Sequence, residues 1–518
     1  MRRLAGAALL ATAVVAGTLP PAFGQATFPP PNNPPPPPSI IVERGAPITP
    51  LGWFVIGSIG CAAVSPMIAT VILGRELTLN EAYRSTLGCV LGPAGWLLAD
   101  LLVPPTPTIQ TQPGNQLPQQ SQPPQQRRTD SGRNFRIPRQ GETQFVANEI
   151  LLQFAPGATV QMRNTLFANL QLTELETQTF QLTGRRISRV RIDSSQSVQA
   201  TLNRIARNYP AVSGGWANMT YVGVQAQPAA RPDAATDPAA AQYVVKKLHL
   251  LEAHRITSGE DVLVAVIDSK IDTQHPDLKG VIADEYDVVG TAPAGHSHGT
   301  AMAGAIAAQG KLVGVAPKVK LLAVRAFSGS GESAESTTFN ILKSVDWAAS
   351  KRARIINMSF AGPPDALLRE MLGKANARGI VLIAAVGNAG PRSPPLYPAA
   401  DPGVIGVTAT DADDKLMPQA NRGPQVAIAA PGVEILAVAP DGKYLITSGT
   451  SVAAAHASGV AALLLASKPN LKPAQVRATL VRSASRISGK PTEVGAGVID
   501  ALAVINSSRK YPSGPVIC

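Results

Sequence analysis

The stretch VLVAVIDSKID, residues 262–272, is the clearest indication of the fold class, because an unbroken apolar run ends there in a carboxylate. Such runs are typical of parallel strands that are buried on both faces. Four similar runs are predicted as strands and alternate with segments of helical periodicity. The strands are 262–267, 319–324, 354–358, 380–386 and 404–408, and the helices are 300–308, 338–350, 366–378, 452–466 and 474–483. This alternation predicts an α/β domain, residues 243–510, with a mainly parallel sheet and helices on both faces.

Four polar side chains follow predicted strands or begin predicted helices in this domain. Asp268 ends the first strand, and His298 lies in GHSHGTAMAGAIAA (295–308), where a helix of small residues begins. Ser451 lies in TSGTSVAAAHASG (447–459) at the start of another helix, and Asn388 lies in GNAG (387–390) directly after a strand. Ligands of parallel α/β sheets bind at the carboxyl ends of the strands. We therefore expect these side chains to lie close together.

Each of these residues also has a plain structural interpretation. Asp268 can be a turn residue, Ser451 a helix cap and GNAG a tight turn. His296 precedes His298 by two residues and is an open competitor for its role. Taken together, however, the four residues supply a nucleophile, a base, a carboxylate that orients the base, and a donor for an oxyanion. That is the complete set for acyl transfer.

The order Asp268, His298, Ser451 is that of subtilisin and differs from the orders in chymotrypsin and the α/β-hydrolases. Residues 243–505 therefore resemble a subtilisin-like serine peptidase, a member of the subtilase family. The motifs that carry the resemblance include VAVIDSKID (264–272), HGTAMAG (298–304), INMSFAGP (356–363), AAVGNAG (384–390) and SGTSVAAAHASG (448–459).

The resemblance implies a role for each matching residue. Ser451 would attack the scissile carbonyl, His298 would take and return its proton, and Asp268 would orient the imidazole. Asn388 and the backbone N–H of Ser451 would form the oxyanion hole. Polypeptide substrates would pair with a strand edge in the cleft; its residues are Ser359, Phe360, Ala361 and Gly362.

Two residues depart from the family pattern near the site. Lys270 stands where a glycine is usual, and we expect it to pair with Asp272 or Asp277 or to crowd the rim. Ala455 stands where a proline normally follows the nucleophile, which changes the local helix geometry.

No cofactor is predicted to be required. The family resemblance leaves calcium binding open, but the loop 309–312 is short and lacks the insertion that supplies calcium ligands in many relatives, so a calcium site of that type is not expected. The acidic residues Asp411, Asp413 and Asp414 are interpreted as a solvated turn rather than a metal site.

A smaller domain, residues 145–226, precedes the α/β domain. Its apolar pattern predicts the order β-α-β-β-α-β, with Asp193 or Ser194 as the cap of the second helix. This split-βαβ unit more loosely resembles the family's propeptide, which inhibits the peptidase in cis. Residues 227–242 are predicted to be a linker, with self-cleavage between residues 222 and 242.

The N-terminal part has four predicted segments. Residues 1–24 have the charged start, apolar run and small-residue end of a signal peptide, and residues 25–50 form a proline-rich spacer. Residues 51–103 contain two apolar runs and are either membrane-associated or a helical hairpin. Residues 104–144 are rich in Pro, Gln and Arg and are predicted to be a disordered linker. A short tail, 511–518, ends the chain.

Charge and cysteine content exclude several other classes. The net charge of +12 is spread over the chain, with 18 basic and 12 acidic residues before position 240 and 28 and 22 from there on. No basic tail or aromatic stacking motif accompanies it, so nucleic acid is not a predicted partner. Three cysteines, Cys61, Cys89 and Cys518, are too few for a disulfide scaffold.

The sequence therefore predicts a secreted, periplasmic or envelope-associated serine endopeptidase that processes its own precursor. Two alternatives stay open: a catalytically silent binding scaffold with the same fold, and an acyl transferase that joins peptides.

Overall fold

A computed structural model describes residues 132–223, 227–228, 242–290, 294–329 and 334–507. The predictions for the signal peptide, the spacer, the hydrophobic region 51–103 and the tail 511–518 lie outside these residues. Most of the predicted linkers, 104–144 and 227–242, lie outside them as well. We call residues 132–223 the small domain and residues 242–507 the large domain.

The small domain is a five-stranded sheet covered by two helices, in the strand order β1-β5-β2-β4-β3. The pairs β5–β2, β2–β4 and β4–β3 are antiparallel, with Ile150 of β2 opposite Val190 of β4 and Leu151 of β2 opposite Trp216 of β5. The predicted split-βαβ order is confirmed. The elements are β1 (Asn134–Arg136), β2 (Phe145–Phe154), α1 (Val160–Leu170), β3 (Leu172–Thr179), β4 (Arg186–Ile192), α2 (Val198–Asn208) and β5 (Val212–Gly223).

Both helices of the small domain begin at hydroxyl caps. The hydroxyl oxygen of Thr159 accepts the Met162 N–H at 3.2 Å, and that of Ser197 accepts the Ala200 N–H at 3.1 Å. Ser197, rather than the predicted Asp193 or Ser194, caps α2 because the helix begins only at Val198.

The small domain begins earlier than the sequence predicts. Strand β1 pairs in parallel with β5, so residues 134–136 are not part of a disordered linker. Arg133 anchors this strand, since its guanidinium donates to the carbonyl oxygens of Val212, Ala206 and Tyr209 at 2.7–2.8 Å. Two of these carbonyls lie at the C-terminal end of α2, where the helix leaves acceptors unpaired.

The large domain is built on a parallel seven-stranded sheet in the order β15-β14-β13-β11-β7-β9-β8. The predicted α/β class is confirmed. The strands are β7 (Leu263–Asp268), β8 (Ile282–Asp287), β9 (Lys320–Arg325), β11 (Ile355–Met358), β13 (Val381–Ala385), β14 (Val404–Thr410) and β15 (Val426–Pro431). Strand β8, with the sequence IADEYD, was missed because it is a half-exposed edge strand that carries three acidic residues.

Helices pack on both faces of this sheet, with their apolar residues in two large buried clusters. They are α3 (Tyr243–Lys247), α4 (Leu250–His254), α5 (Ser297–Ala307), α6 (Thr338–Ser350), α7 (Ala366–Ala377), α8 (Thr450–Ser467), α9 (Pro473–Ser483), α10 (Pro491–Val494) and α11 (Ala501–Ser507). Among the residues described, α8 alone is long and apolar enough to cross a membrane, and 89% of it is buried within the domain. It is the core helix against which α5 packs.

Five short strands complete the large domain and connect it to the segment that follows the small domain. Strands β16 (Ile435–Ala439) and β17 (Lys443–Ser448) form a hairpin, and β6 (Gln227–Pro228) pairs with the end of β17. Strands β10 (Glu335–Thr337) and β12 (Phe360–Ala361) pair antiparallel with β5. A single strand, β5, therefore belongs to the sheet of the small domain and also lies along the large domain.

Candidate active site

Asp268 is the last residue of β7 and is buried at the carboxyl end of the parallel sheet. Its Oδ1 accepts the backbone N–H of Ser269 at 2.7 Å and lies 2.7 Å from Nδ1 of His298. The side chain is 4% exposed, so these donors take the place of water around the carboxylate.

His298 is the second residue of α5 and faces Asp268. Because Nδ1 donates to the carboxylate, the neutral ring carries its proton on Nδ1 and leaves Nε2 as an acceptor. This is the tautomer that a general base needs.

The competing histidine, His296, has a different position. It is the N-cap of α5, and its Nδ1 accepts the backbone N–H of His298 at 3.2 Å. The same nitrogen lies 3.0 Å from the hydroxyl oxygen of Ser269. The ring bonded to Asp268 is that of His298.

Ser451 is fully buried at the start of α8. Its hydroxyl donates to the carbonyl oxygen of Ser359 at 3.3 Å, and the Ser359 hydroxyl donates back to the carbonyl oxygen of Ser451 at 3.1 Å. These reciprocal bonds hold the start of α8 beside the predicted substrate strand.

Asn388 lies in the turn after β13, and its amide orientation is fixed. Its Oδ1 accepts the backbone N–H of Thr450 at 3.1 Å and the Thr450 hydroxyl at 2.9 Å. Since the oxygen faces two donors, the NH₂ group lies on the opposite edge of the amide. Gly387 permits the turn, because its φ of +107° is unfavourable for other residues and a Cβ there would lie 2.7 Å from Asn421.

The predicted substrate strand is occupied by the chain itself. Phe360 pairs with Gly223 and Ala361 with Val222 in antiparallel register. Gly362 instead exchanges backbone hydrogen bonds with Tyr397, at 2.8 and 3.0 Å. Strand β5 is thus bound as an extended peptide would be in β-augmentation.

Tyr221 of β5 fills a pocket next to this strand. Its side chain is fully buried, stands edge-on to Phe360 at 6.0 Å, and lies so close to Gly362 that a Cβ there would be 2.4 Å from the ring. Burial and the carboxyl groups of Asp365 and Asp401 raise the pKa of Tyr221. Its hydroxyl makes no hydrogen bond of standard geometry within the part of the chain described.

The two carboxyl groups near Tyr221 were not identified from the sequence. Asp365 caps α7 by accepting the Leu367 and Leu368 N–H groups at 2.8 and 3.1 Å, and burial raises its pKa. Asp401 pairs with Arg369 at 2.7 Å, yet burial raises the pKa of Asp401 to about 6. An Asp before the helical run ALLREML was the one available signal for a cap.

Lys270 and Asp277 differ from the sequence expectation. Lys270 pairs with Glu285 of β8 at 2.7 Å rather than with Asp272 or Asp277. Asp277 is buried and accepts the backbone N–H groups of Lys311 and Leu312 at 3.0 and 2.8 Å. The carboxylate of Asp277 is therefore hydrogen-bonded by backbone amides of the short loop 309–312 and not paired with the Lys270 ammonium.

No group of three or more potential metal ligands occurs among the His, Cys, Asp and Glu residues that the structure describes. In the acidic turn, Oδ1 of Asp411 accepts the backbone N–H groups of Asp413 and Lys415 at 2.9 and 2.8 Å, and Asp414 pairs with Lys247.

Comparison with known proteins identifies the family. Residues 259–501 match the model of the subtilase family. The chain belongs to this family, that of the subtilisin-like serine peptidases. It is 37% identical over 255 residues to subtilisin of Bacillus pumilus, covering 48% of this chain and 91% of that protein. It is 33% identical over 272 residues to thermitase of Thermoactinomyces vulgaris, covering 51% and 95%.

Coverage of longer relatives is smaller. Identity to subtilisin E of Bacillus subtilis (strain 168) is 37% over 255 residues, which is 48% of this chain and 66% of the length of that relative. Among solved structures, fervidolysin from Fervidobacterium pennivorans, a keratinolytic enzyme related to subtilisin, has the same fold, with a TM-score of 0.61 at 24% identity. The match covers 74% of this subtilase and 63% of fervidolysin.

Proposed function

We propose that this subtilase is a serine endopeptidase that acts through Asp268, His298 and Ser451. The observation that carries the proposal is the 2.7 Å bond between His298 Nδ1 and Asp268, at the sheet end where Ser451 lies beside an occupied peptide strand. In this arrangement His298 Nε2 takes the Ser451 proton as the hydroxyl attacks the carbonyl carbon. Asp268 stabilises the imidazolium that results.

The tetrahedral intermediate requires donors at its oxyanion. The NH₂ edge of Asn388 and the backbone N–H of Ser451 would supply them, and Thr450 holds the Asn388 amide in the required orientation. His298 then returns the proton to the leaving amine, and water releases the acyl group by the same steps in reverse order.

We further propose that the first substrate is the chain's own segment after Gly223. Strand β5 lies along β10 and β12, and β6 pairs with β17, whose last residue, Ser448, is three positions before Ser451. Because the two pairings lie on either side of Ser451, we expect the bond that is cut to lie between Gly223 and Gln227. This supports a precursor whose small domain occupies the cleft until it is released.

The register of β5 on β12 indicates more closely which bond is cut. The pairs Val222–Ala361 and Gly223–Phe360 step toward Ser359, whose carbonyl oxygen accepts the Ser451 hydroxyl. The residue after Gly223 is therefore the one that we expect to supply the reacting carbonyl. We propose cleavage between Val224 and Gln225. Secretion or attachment to the envelope is part of the same proposal and rests on the apolar segments before residue 104.

The test is to express residues 25–518 as wild type, as Ser451→Ala and as Ser467→Ala, a matched control near the far end of α8. Wild type and control should lose mass, acquire an N-terminus at Gln225, cleave denatured casein and react with a fluorophosphonate. Ser451→Ala should keep its full mass and stay unlabelled.

Other outcomes would select the alternatives. Equal masses for all three proteins, with no labelling, would make the chain a silent scaffold. Joined peptides in the presence of an added amine would indicate an acyl transferase.

A further inference from the structure

His296 lies against the catalytic pair without being part of it. Its backbone N–H donates to the carbonyl oxygen of Lys270 at 2.6 Å, and its carbonyl oxygen accepts the Thr300 hydroxyl at 2.7 Å. The backbone is thus held on both sides, and Nδ1 of the ring points at the His298 N–H and the Ser269 hydroxyl, at 3.2 and 3.0 Å.

The Ser269 hydroxyl has one proton and two acceptors within reach. Its oxygen lies 3.1 Å from Oδ1 of Asp268 and 3.0 Å from Nδ1 of His296, and it accepts the Gly299 N–H at 3.0 Å. A hydroxyl donates only once. The contact between the Ser269 hydroxyl and Nδ1 of His296 therefore has two forms. They differ in the direction of the Ser269 hydroxyl proton and in whether Nδ1 carries a proton.

In the first form the His296 ring is neutral with its proton on Nε2. Nδ1 then accepts the His298 N–H, which caps α5, and can also accept the Ser269 proton. In the second form the ring is protonated on both nitrogens. Nδ1 then donates to Ser269, Ser269 must donate to Asp268, and the His298 N–H loses its acceptor.

The second form changes the catalytic pair in two ways. It removes the cap that fixes the backbone of His298, and it adds a positive charge beside a ring that must itself become positive in catalysis. The end of α5 adds to the unfavourable field, since helix N-termini disfavour cations. Several charged or titratable groups are linked to this site through direct or relayed contacts. Lys270 accepts the His296 N–H through its carbonyl oxygen and pairs with Glu285, Asp268 is bonded to the Ser269 hydroxyl that contacts the ring, and His298 donates its N–H to the ring. Asp272, which lies beside Gly295, accepts the Asp441 N–H.

We propose that His296 is a positioning residue of the active site, which holds His298 and Ser269 as a neutral ring and loses that hold when it is protonated. The inference rests on the proposed role of Asp268 and His298 as the catalytic pair. Activity on the acid side therefore depends on the protonation of His296 as well as on that of His298.

The first experiment compares kcat/KM from pH 5 to 9 in the matured enzyme and its variants. In the wild type, kcat/KM should fall by up to about 100-fold per pH unit at the acid end, because two protons bind. His296→Asn keeps an acceptor that cannot be protonated, so its kcat/KM should fall by only about tenfold per pH unit at the acid end. At pH 8 its kcat/KM should lie within about threefold of the wild-type value.

Two further variants separate positioning from folding. His296→Ala removes the acceptor and should lower kcat at pH 8 by about 10- to 100-fold with little change in KM, because misplacement affects the reacting geometry. His249→Asn is the matched control, since that histidine pairs with Asp500 on the surface, and its profile should equal that of wild type. If kcat/KM of His296→Asn falls at low pH as steeply as that of the wild type, the proposal is overturned.

A second measurement does not need activity. In the Ser451→Ala precursor, NMR of labelled histidine rings should show that the His298 signals respond to protonation of His296 as well as of His298 itself. With His296→Asn added, only the protonation of His298 remains, and it should occur at a higher pH. An unchanged His298 transition would also overturn the proposal. If the coupling is seen but no Ser451-dependent hydrolysis, the proposed function fails while this inference stands.

Discussion

The hydroxyl of Thr450 orients the amide of Asn388 and holds the turn that carries it. It donates to Oδ1 of Asn388 at 2.9 Å and accepts the backbone N–H of Gly387 at 3.2 Å. An amide that is held by one donor only can rotate, and a rotated amide would present its oxygen to a developing oxyanion. The side chain of Thr450, next to the proposed nucleophile, thus controls the orientation of an amide that lies 62 residues earlier in the chain.

We expect Thr450→Val to lower kcat by about tenfold, with KM within about twofold, because the amide keeps only the backbone donor of Thr450. Asn388→Ala should be more severe, about 100- to 1,000-fold, the loss that removal of such a donor causes in subtilisin itself. Steady-state kinetics of the matured enzyme would check both values. Equal losses in kcat for the two variants would contradict an orienting role for Thr450.

Single residues at the site differ in how visible they are in the sequence. Asp268 could be predicted because it interrupts a run of six apolar residues at a strand end. The ion-pair partner of Lys270 could not be predicted, since Glu285 lies on β8, an edge strand in which three acidic residues out of six leave no apolar run. The pocket residue Asp401 had no local signal either, because its burial depends on the packing of distant elements.

Strand β5 links the two domains through its backbone pairing with β10 and β12 and through the ring of Tyr221, which fills a pocket. Tyr221→Ala should weaken the binding of the small domain to the large domain by about 3 kcal/mol, because a buried aromatic ring is removed. This loss corresponds to a roughly 100-fold higher inhibition constant. Tyr221→Phe should bind as tightly as wild type or more tightly, because it removes a buried hydroxyl that lacks a standard hydrogen bond.

The measurement is the lag before hydrolysis begins once the full chain has processed itself. The lag should shorten at least tenfold in Tyr221→Ala and persist in Tyr221→Phe. A shortened lag in both variants would mean that the hydroxyl, and not the ring, carries the contact.

The carboxylate of Asp277 holds the short loop 309–312 through hydrogen bonds. Its carboxylate accepts the Lys311 N–H at 3.0 Å, the Leu312 N–H at 2.8 Å and the Tyr444 hydroxyl at 3.0 Å. Asp277→Ala leaves these donors unpaired and should cost about 3 kcal/mol, whereas Tyr444→Phe, which loses one bond, should cost about 1 kcal/mol.

Unfolding of the Ser451→Ala precursor in urea would measure both costs, with EDTA and with added calcium. We expect the same midpoint in both conditions, because backbone amides occupy the carboxylate. A midpoint that rises with calcium in the parent and not in Asp277→Ala would show that this carboxylate binds the ion.

Element boundaries show why part of the fold was not predictable. Five of the seven strands of the parallel sheet were predicted from apolar runs, whereas β8 and β15 were not. The bounds of β7 differ from the predicted ones by one residue at each end. Strand β1 was missed, since NFR within an Arg-rich segment has no strand pattern and depends on Arg133 bonding to carbonyls more than 70 residues away. Long-range hydrogen bonds of this kind leave no periodicity in the sequence.

At the scale of the whole molecule, two buried titratable groups oppose each other. Burial raises the pKa of Asp401 to about 6, and it outweighs Arg369 because that guanidinium is 43% exposed and screened by water. Burial lowers the pKa of His456 to about 4, although its Nδ1 lies 2.8 Å from the carbonyl oxygen of Pro431. Both groups therefore change the free energy of unfolding over the same interval of pH.

The signs of the two contributions are opposite. The raised pKa of Asp401 adds stability below about pH 4, and this stability is lost as the pH rises to about 6. The lowered pKa of His456 adds stability above about pH 6.5, and this stability is lost as the pH falls to about 4. Each shift of about two pH units corresponds to about 3 kcal/mol, so the two nearly cancel in the wild-type chain.

Asp401→Asn should therefore expose the acid sensitivity that His456 causes. Its free energy of unfolding should fall by up to about 3 kcal/mol more than that of the parent between pH 6.5 and pH 4, as measured by urea unfolding of the Ser451→Ala precursor. His456→Asn keeps a donor for Pro431 and should instead become more stable over the same interval, because only Asp401 then binds an additional proton. Parallel pH profiles for the two variants would show that these groups do not set the acid stability of the fold.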